Sequence, residues 1–357
     1  MTTFAIQDRA AGCIAGAFIG DALGLGPHWY YDLAELRRDF GDWIDGYTEP
    51  KPHAKYHRGM KAGELSQTGI IMRVLLRSLH ECNAYDEKDF TRRLDEEILP
   101  KLSADAFSGP GGYTNHSFRQ LWQARVSERK SWSETGGNAD TSEAAERISL
   151  LAARYALDPA AAARHALENC LLTQNDSLVA QQSVAFACVL AALIRGEAFD
   201  ENLSDKLMEL VKSNAVPFVA KSSIASAAST SAEVSTFGFA SPDALLLPSW
   251  IAEAAHNPDI HIDPAWKVSL VYGMSCAINF VLSGAYYLAA RFPDDFESAV
   301  LHAINGGGQN MSRACLTGAL VGAQVGLSCI PARFIEGLRD GHEIVALAKA
   351  VAASAAE

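Results

Sequence analysis

The sequence contains almost no stretch in which β-branched and polar residues alternate, which is the pattern of a half-exposed strand. A β-sheet is therefore not expected. Basic residues are also scarce: 30 lysines and arginines stand against 42 aspartates and glutamates, which gives a formal net charge of −12. This balance argues against a general nucleic-acid-binding protein, because such binding depends on cations that neutralise phosphates.

Paired cysteine motifs and linkers are absent as well. The seven cysteines include no C-x-x-C pair and fall mostly in apolar segments, which predicts reduced core thiols in a cytoplasmic protein. No linker divides the chain, so we expect residues 1–357 to form one domain, although this length exceeds the usual size of one core. The uncharged run 268–290 could span a bilayer by length, but its scattered serines and asparagine favour a buried helix and no membrane partner.

What the chain does contain is one amphipathic or apolar helical segment after another. Apolar residues recur at intervals of three and four, as at Ile70, Val74 and Leu75. The predicted helices cover residues 9–24, 67–83, 87–101, 116–128, 141–156, 159–171, 176–196, 203–213, 242–256, 266–291, 295–305 and 309–326. The sequence therefore predicts an all-α fold.

Two segments rich in small residues stand out. Near the start, Gly12, Gly16, Gly20 and Gly24 recur at every fourth position around Asp21-Ala-Leu, and near the end Gly306-Gly307-Gly308-Gln309-Asn310 leads into an alanine-rich helix. Free N–H groups at a helix N-terminus suit an anionic or polar ligand, and glycines let the backbone approach it closely. We therefore expect Gly307, Gly308, Gln309 and Asn310 to bind substrate, with close helix packing as the alternative reading.

Together these segments resemble the ADP-ribosylglycohydrolase family over nearly the whole chain. The first is similar to the opening helix of that family, and the second occupies the place of its Gly-Gly-Asp-Thr-Asp-Thr metal motif. The run Gly-Glu-Leu-Ser-Gln-Thr at 63–68 stands where the family has Thr-Asp-Asp-Thr. The Pro-His-Trp-Tyr-Tyr-Asp run at 27–32 and Gly-Gln-Asn-x-x-Arg at 308–313 look closer to the J-crystallin-like branch. The resemblance implies a compact orthogonal helical bundle.

The departures from that family concern its metal site. The resemblance implies aspartates that hold two magnesium ions, yet the matching positions here carry Gln67 and Thr68, then Gln309 and Met311. Magnesium requires hard, preferably anionic, oxygen ligands, and a thioether is a soft one. We therefore expect no metal and no other cofactor.

Four residues are candidates for proton transfer: Glu64, Glu143, His28 and His116. The resemblance places Glu64 near the centre of the pocket, where burial would raise its pKa, although it could instead be an exposed residue at a loop end. The family segment matching 136–143 lines the ligand site, so Glu143 is expected there with Asn138 and Asp140. The alternative for Asp140 and Glu143 is a capping box.

Each of the two histidines also has two possible roles. His28 lies beside Trp29 and could act as an acid or base near neutral pH, or belong to an aromatic cluster that anchors a turn. His116 follows Tyr113 and Asn115 after a glycine turn, where it is either functional or a helix cap.

Two long loops could cover a site. The first is residues 41–66, a basic and aromatic segment that is either a lid or a solvated surface, and the second is residues 214–241.

We therefore expect a divergent enzyme that acts on a small polar or anionic molecule by metal-independent acid–base chemistry, with hydrolysis and elimination both open. A non-catalytic ligand-binding or crystallin-like protein is the alternative, and a conventional magnesium-dependent ADP-ribosyl hydrolase is the third. A homodimer would suit the alanine-rich apolar helices. The residues expected to bind substrate are Gln67, Tyr113, Asn115, Asn138, Asp140, Gln174, Gly307, Gly308, Gln309 and Asn310.

Overall fold

The computed structural model describes residues 2–103, 105–219, 239 and 241–356. Over these residues the chain forms 16 α-helices, and its β-type pairing consists of isolated bridges. The all-α prediction is confirmed. The helices are α1 Thr3–Leu25, α2 Leu33–Phe40, α3 Gln67–Cys82, α4 Glu87–Arg93, α5 His116–Trp122, α6 Glu143–Arg154, α7 Pro159–Leu171, α8 Ser177–Ile194, α9 Leu203–Lys212, α10 Asp243–His256, α11 Val268–Tyr272, α12 Ile278–Arg291, α13 Phe296–Asn305, α14 Asn310–Val325, α15 Ala332–Gly337 and α16 Gly341–Ala353.

Helices α1 and α14 pack against each other along most of their length, and glycines make this possible. A Cβ atom added at Gly16 would lie 2.6 Å from the carbonyl carbon of Gly318, and one at Gly20 would lie 2.6 Å from the backbone nitrogen of Cys315. Ordinary Cβ contacts begin at 3.4 Å. The four-residue spacing of glycines in α1 therefore serves close helix packing.

This pair of helices brings the two ends of the chain together beside the candidate site. The C-terminus of α1 leads into His28 and Trp29, while Gln309 occupies the N-cap position of α14. Asp21 of α1 and Arg313 of α14 do not form a salt bridge with each other. Asp21 accepts hydrogen bonds from the backbone and side chain of Ser66, while Arg313 donates to the carbonyl oxygens of Ala303 and Gly307.

Two apolar segments have structural explanations within the core. The uncharged run 268–290 is not one helix, because Gly273 ends α11 with a φ of +119° and α12 begins at Ile278. Helix α8 is long and apolar enough to cross a membrane by length and composition, but 83% of it is buried among other helices. All seven cysteines are unpaired.

Candidate active site

A cavity of about 270 Å³ lies where the turn before α5, the N-terminus of α6 and the N-terminal end of α14 meet. We call it the inner pocket. It is lined by Trp29, Tyr113, Asn115, His116, Arg119, Asp140, Thr141, Glu143, Cys276 and Gln309. Six of the residues proposed from the sequence therefore lie together: Tyr113, Asn115, His116, Asp140, Glu143 and Gln309.

Glu143 is the buried carboxyl of this pocket. It is the first residue of α6, it is 8% exposed, and it accepts a hydrogen bond from the hydroxyl of Thr141. Burial raises the pKa of Glu143 above its usual value. A cavity-facing carboxyl whose pKa is raised above its usual value is suited to proton transfer.

The position of Glu143 is fixed by Gln174, which is fully buried behind it. The side-chain nitrogen of Gln174 donates to the carbonyl oxygens of Ala139 (2.9 Å) and Thr141 (2.7 Å). Its side-chain oxygen accepts the backbone N–H of Ala144 at 2.9 Å. Gln174 therefore supports the pocket wall and does not line the cavity.

Arg119 supplies a cation to the same pocket. Its guanidinium donates to the carbonyl oxygen of Thr114 and to the hydroxyl of Tyr113 at 3.3 Å, and it lies 5.7 Å from the centre of the Tyr113 ring. Arg119 forms no ion pair with a carboxylate of the described residues. A guanidinium held by neutral groups at the wall of a cavity is suited to binding an anion.

Trp29 supplies an aromatic surface to the same pocket. Its indole N–H donates to the side-chain oxygen of Gln309, and its ring contacts Tyr56 and Tyr113 edge to face, with ring centres 4.5 and 5.1 Å apart. His28 stacks on Trp29 at 4.6 Å. The inner pocket thus combines an aromatic wall with a cation and a buried acid.

His28 lies behind this wall and does not line the cavity. It is 5% exposed, and its Nδ1 is 3.0 Å from the side-chain oxygen of Asn310. Burial holds the pKa of His28 well below its usual range, so the imidazole is neutral at physiological pH. Its position favours the reading as an anchor of the aromatic cluster.

The loop 41–66 covers this aromatic cluster. Tyr56 stacks on Phe107 and contacts both Trp29 and Tyr113, and the buried ring of His57 lies 5.4 Å from His28. No residue of this loop lines the inner pocket, and its role as a lid stays a prediction. The second long loop, 214–241, lies mostly outside the described residues.

Glu64 is not at the centre of the pocket, contrary to the expectation from the resemblance. Its carboxylate accepts hydrogen bonds from Arg339 (2.6 Å) and from the backbone N–H of Lys61 (2.9 Å), and it lines a separate cavity with Arg73 and Asp340. Glu64 comes two residues before the N-cap of α3, whereas the inner pocket lies beyond the buried first turn of that helix.

The glycine turn is buried, and N–H groups in it donate hydrogen bonds to carbonyl oxygens of other segments of the protein. The N–H of Gly308 donates to the carbonyl oxygen of Tyr30 (2.6 Å), and that of Gln309 donates to Met274 (2.9 Å). A Cβ atom on Gly307 would lie 2.6 Å from the Tyr30 carbonyl oxygen. Gly307 and Gly308 therefore serve a tight turn and, like Asn310, do not line the cavity.

The segment before α6 differs in part from the expectation. Helix α6 begins at Glu143 and no side chain caps it, so Asp140 and Glu143 form no capping box. Asp140 is exposed at the pocket wall. Asn138 is exposed and lines a larger neighbouring space of about 580 Å³, the outer cleft, which shares His116 and Arg119 with the inner pocket.

The residues at the first pair of family metal positions are occupied by bonds within the protein. The side-chain oxygen of Gln67 accepts the backbone N–H of Asn115 at 2.9 Å, and the hydroxyl of Thr68 accepts the side-chain N–H of Asn115 at 2.9 Å. Both residues are buried. They position the pocket residue Asn115 and offer no anionic oxygen to a divalent cation.

The second pair is occupied in the same way. The side-chain nitrogen of Gln309 donates to the hydroxyl of Ser312 at 2.9 Å. Met311 packs against α1, so closely that a Cβ atom added at Gly24 would lie 2.8 Å from the Cβ atom of Met311. In the described part of the chain, the group of ligand-type side chains close enough to share an ion is Glu35, Asp39 and His53, none of which lines the inner pocket. The donor set at the family positions does not fit two magnesium ions.

Four lining residues are not among the site residues proposed from the sequence: Trp29, Arg119, Thr141 and Cys276. Arg119 had a usable signal, because it follows His116 by three residues on a predicted helix and so shares its face. Cys276 had none, because it lies between α11 and α12 in a run that was predicted to be one continuous helix. Burial and the neighbouring charge of Glu143 raise the pKa of its thiol.

Comparison with known proteins gives a consistent picture. The sequence model of the ADP-ribosylglycohydrolase family matches residues 2–357. A protein of Archaeoglobus fulgidus described as uncharacterized is 24% identical over 344 residues, which are 96% of this chain and 95% of that protein. Crystallin J1A of Tripedalia cystophora is 40% identical over 78 residues, 22% of this chain and 24% of the crystallin. A solved structure titled an ADP-ribosylglycohydrolase-related protein complex shares the fold, with a TM-score of 0.60 and 20% identity over 98% of this chain and 99% of that one.

Proposed function

Because this chain belongs to the ADP-ribosylglycohydrolase family, we propose that it is an enzyme of that fold which works without the family's two magnesium ions. It acts on a small polar or anionic metabolite by acid–base chemistry. The observation that carries this proposal is the presence of Glu143, a buried carboxyl of raised pKa, in one cavity with the cation Arg119.

Each wall of the inner pocket has a role in this proposal. Arg119 binds an anionic or carbonyl oxygen of the substrate, and the amide of Asn115 binds a hydroxyl or carbonyl group. Trp29 and Tyr113 cover an apolar face of the substrate. The volume of about 270 Å³ lies just below the range typical of sites for drug-sized ligands, which favours a small metabolite.

Glu143 is the proton carrier. In a hydrolysis its carboxylate removes a proton from water as the water oxygen attacks the substrate, and His116 at the pocket mouth returns a proton to the leaving group. In an elimination Glu143 removes the proton next to the carbon that loses the leaving group. Both reactions use the same residues.

The first test is thermal unfolding with a panel of small metabolites. The panel comprises carboxylic acids, sugar phosphates, amides and ADP-ribose, each with excess magnesium and again with EDTA. A ligand at about a hundred times its dissociation constant stabilises the folded protein by about 2.7 kcal/mol. We expect stabilisation by a small anion in EDTA, whereas stabilisation by ADP-ribose only with magnesium would overturn the proposal.

The second test compares two carboxyl-to-amide substitutions on the compound so identified. Glu143→Gln should reduce turnover by about 10²- to 10⁴-fold while binding persists, because the amide cannot exchange the proton. Glu64→Gln is the matched control: it makes the same chemical change outside the inner pocket and should retain turnover. Full activity in Glu143→Gln would exclude it as the proton carrier.

A non-catalytic, crystallin-like role is a second candidate, favoured by the internal hydrogen bonds of Gln67, Thr68 and Gln309. Those bonds are also what a purely structural protein would need to satisfy its buried polar groups. This candidate predicts that no member of the panel stabilises the protein and that none is turned over.

A further inference from the structure

A second carboxyl, that of Glu146, lies one helical turn beyond Glu143 and has no part in the reaction proposed above. Glu146 is 0% exposed. Its Oε1 accepts a hydrogen bond from the hydroxyl of Ser142 at 2.8 Å, while its Oε2 has no hydrogen-bond partner among the described residues. An ionised carboxylate with an unsatisfied buried oxygen is costly, whereas a protonated carboxyl is tolerated far better.

The basic group on the same helix is directed elsewhere. The guanidinium of Arg147 donates to the side-chain oxygen of Asn169 (2.6 Å) and to the hydroxyl of Thr173 (2.6 Å), on and just after α7. Its other bonds go to the backbone carbonyl oxygens of Asn169 (2.9 Å) and Glu143 (3.3 Å). Arg147 therefore ties α6 to α7 and gives no hydrogen bond to the carboxyl of Glu146.

The neighbouring titratable groups from the other elements are acids. Asp21 of α1 and the thiol of Cys315 in α14 face Glu146, and the thiol of Cys13 in α1 interacts with Cys315. Burial and the negative charge of Glu143 raise the pKa of Glu146 to about 8, and the neighbouring hydroxyls of Ser312 and Ser142 oppose this shift. Near neutral pH the cluster therefore retains a proton on Glu146.

A short series of polar groups joins this carboxyl to the pocket wall. Gln309 lines the inner pocket and donates to the hydroxyl oxygen of Ser312 at 2.9 Å, so the Ser312 hydrogen is free to point elsewhere. That hydroxyl lies beside the Glu146 carboxyl. Glu146 itself does not line the cavity, so its influence on a substrate is indirect.

We propose that Glu143 and Glu146 form a coupled carboxyl pair, in which Glu146 holds one proton at neutral pH and thereby lets Glu143 carry the single negative charge of the pair. Glu146 is a positioning residue. When it loses its proton in alkaline solution, a second negative charge appears next to the pocket. This charge opposes the binding of an anionic substrate.

The number of protons that Glu143 and Glu146 hold can be measured on the folded protein without a substrate. The effect of these protons on turnover rests on the proposed function. The test therefore begins without substrate, by infrared spectroscopy of the whole chain between about pH 5 and about pH 10, where protonated carboxyls absorb apart from carboxylates. We expect a buried carboxyl that titrates near pH 8 in the wild type, is absent in Glu146→Gln and is retained in Glu64→Gln.

Two further variants shift this titration in opposite directions. Glu143→Gln removes the neighbouring charge and should move it to lower pH, whereas Ser142→Ala removes a hydrogen bond to the carboxylate and should move it to higher pH. These variants keep the proposal testable if Glu146→Gln does not fold. A titration that persists in Glu146→Gln, or that Glu143→Gln leaves unmoved, would overturn the pair.

Once a substrate is known, the pH dependence of kcat/KM gives the functional reading. The wild type should lose activity as Glu146 ionises, and Glu146→Gln should retain activity to higher pH. If the titration is found but the alkaline loss is unchanged in Glu146→Gln, the pair exists without governing turnover. If no substrate is found at all, the infrared result still decides the proton count.

Discussion

Replacing Gly16 by alanine tests whether the glycine spacing in α1 exists for helix packing. An added Cβ would lie 2.6 Å from the carbonyl carbon of Gly318 and closer still to its oxygen. Ordinary contact begins at 3.4 Å, so α1 and α14 would have to separate by about 1 Å or more at this point. The contacting atoms belong to a helix backbone, which cannot turn aside as a side chain can.

Two opposing effects set the size of the change. Overpacking a well-packed core costs typically about 1–3 kcal/mol, and a backbone clash belongs at the upper end of that range. Alanine in place of glycine in a helix interior contributes about 1 kcal/mol in the other direction. We therefore expect Gly16→Ala to lower the free energy of unfolding by about 2 kcal/mol.

The measurement is urea-induced unfolding followed by circular dichroism, with Gly46→Ala as the matched control. A Cβ on Gly46 would meet its nearest heavy atom, in Arg333, at 3.6 Å, an ordinary contact. The control should change stability little or raise it by about 0.4–1 kcal/mol, because alanine restricts the unfolded chain. Equal stabilities for Gly16→Ala and Gly46→Ala would refute the packing argument.

Three further substitutions address the pocket. Gln67→Glu keeps the shape but buries a charge, so it should destabilise the protein by about 3 kcal/mol at pH 7 and by less at pH 5, with no rescue by magnesium. Gln174→Ala leaves two buried carbonyl oxygens and one N–H without their partner and should cost about 2–4 kcal/mol in thermal unfolding. The raised pKa of Glu146 makes stability fall as pH rises from about 4.5 to about 8, because the unfolded chain releases a proton that the folded chain retains. At about 1.36 kcal/mol for each pH unit this amounts to at most about 5 kcal/mol, which Glu146→Gln should remove.

A specific result would contradict each of these three expectations. Magnesium that restored the stability of Gln67→Glu would indicate a cation site at this position after all. A Gln174→Ala variant as stable as the wild type would mean that water replaces the amide. For Glu146→Gln, the decisive quantity is the slope of unfolding free energy against pH, and an unchanged slope would place the proton elsewhere.

Much of the fold was predictable because helical periodicity is a local property. The twelve predicted segments cover thirteen helices over their central residues, because 266–291 spans both α11 and α12, and Asp158 and Asp176 cap α7 and α8. Helices α2, α15 and α16 were not predicted, and two of these are only eight and six residues long. The break at Gly273 was also missed, since an uncharged run gives no periodic signal.

The candidate site was less predictable, because it depends on which side chains the tertiary contacts leave facing the cavity. Glu143 and Gln174 are both polar residues near a helix start, yet the structure turns one to the pocket and uses the other as its support. Glu64 illustrates the converse: its place in the sequence suggested the pocket centre, but Arg339, 275 positions later, binds its carboxylate elsewhere. Contacts between residues so distant in sequence cannot be read from local spacing.

The replaced metal positions favour a rebuilt pocket over a decayed one. A site that loses its function would be free to fill with apolar side chains, and Met311 is the single such replacement among the four. The other three residues bond to Asn115, Trp29 and Ser312, and two of these partners line the inner pocket. Since buried amides and hydroxyls are stable only when their hydrogen bonds are satisfied, each replacement required a matching partner in the surrounding residues. The polar side chains at these positions thus hold the walls around Glu143 and Arg119, which is the arrangement that the proposed acid–base chemistry requires.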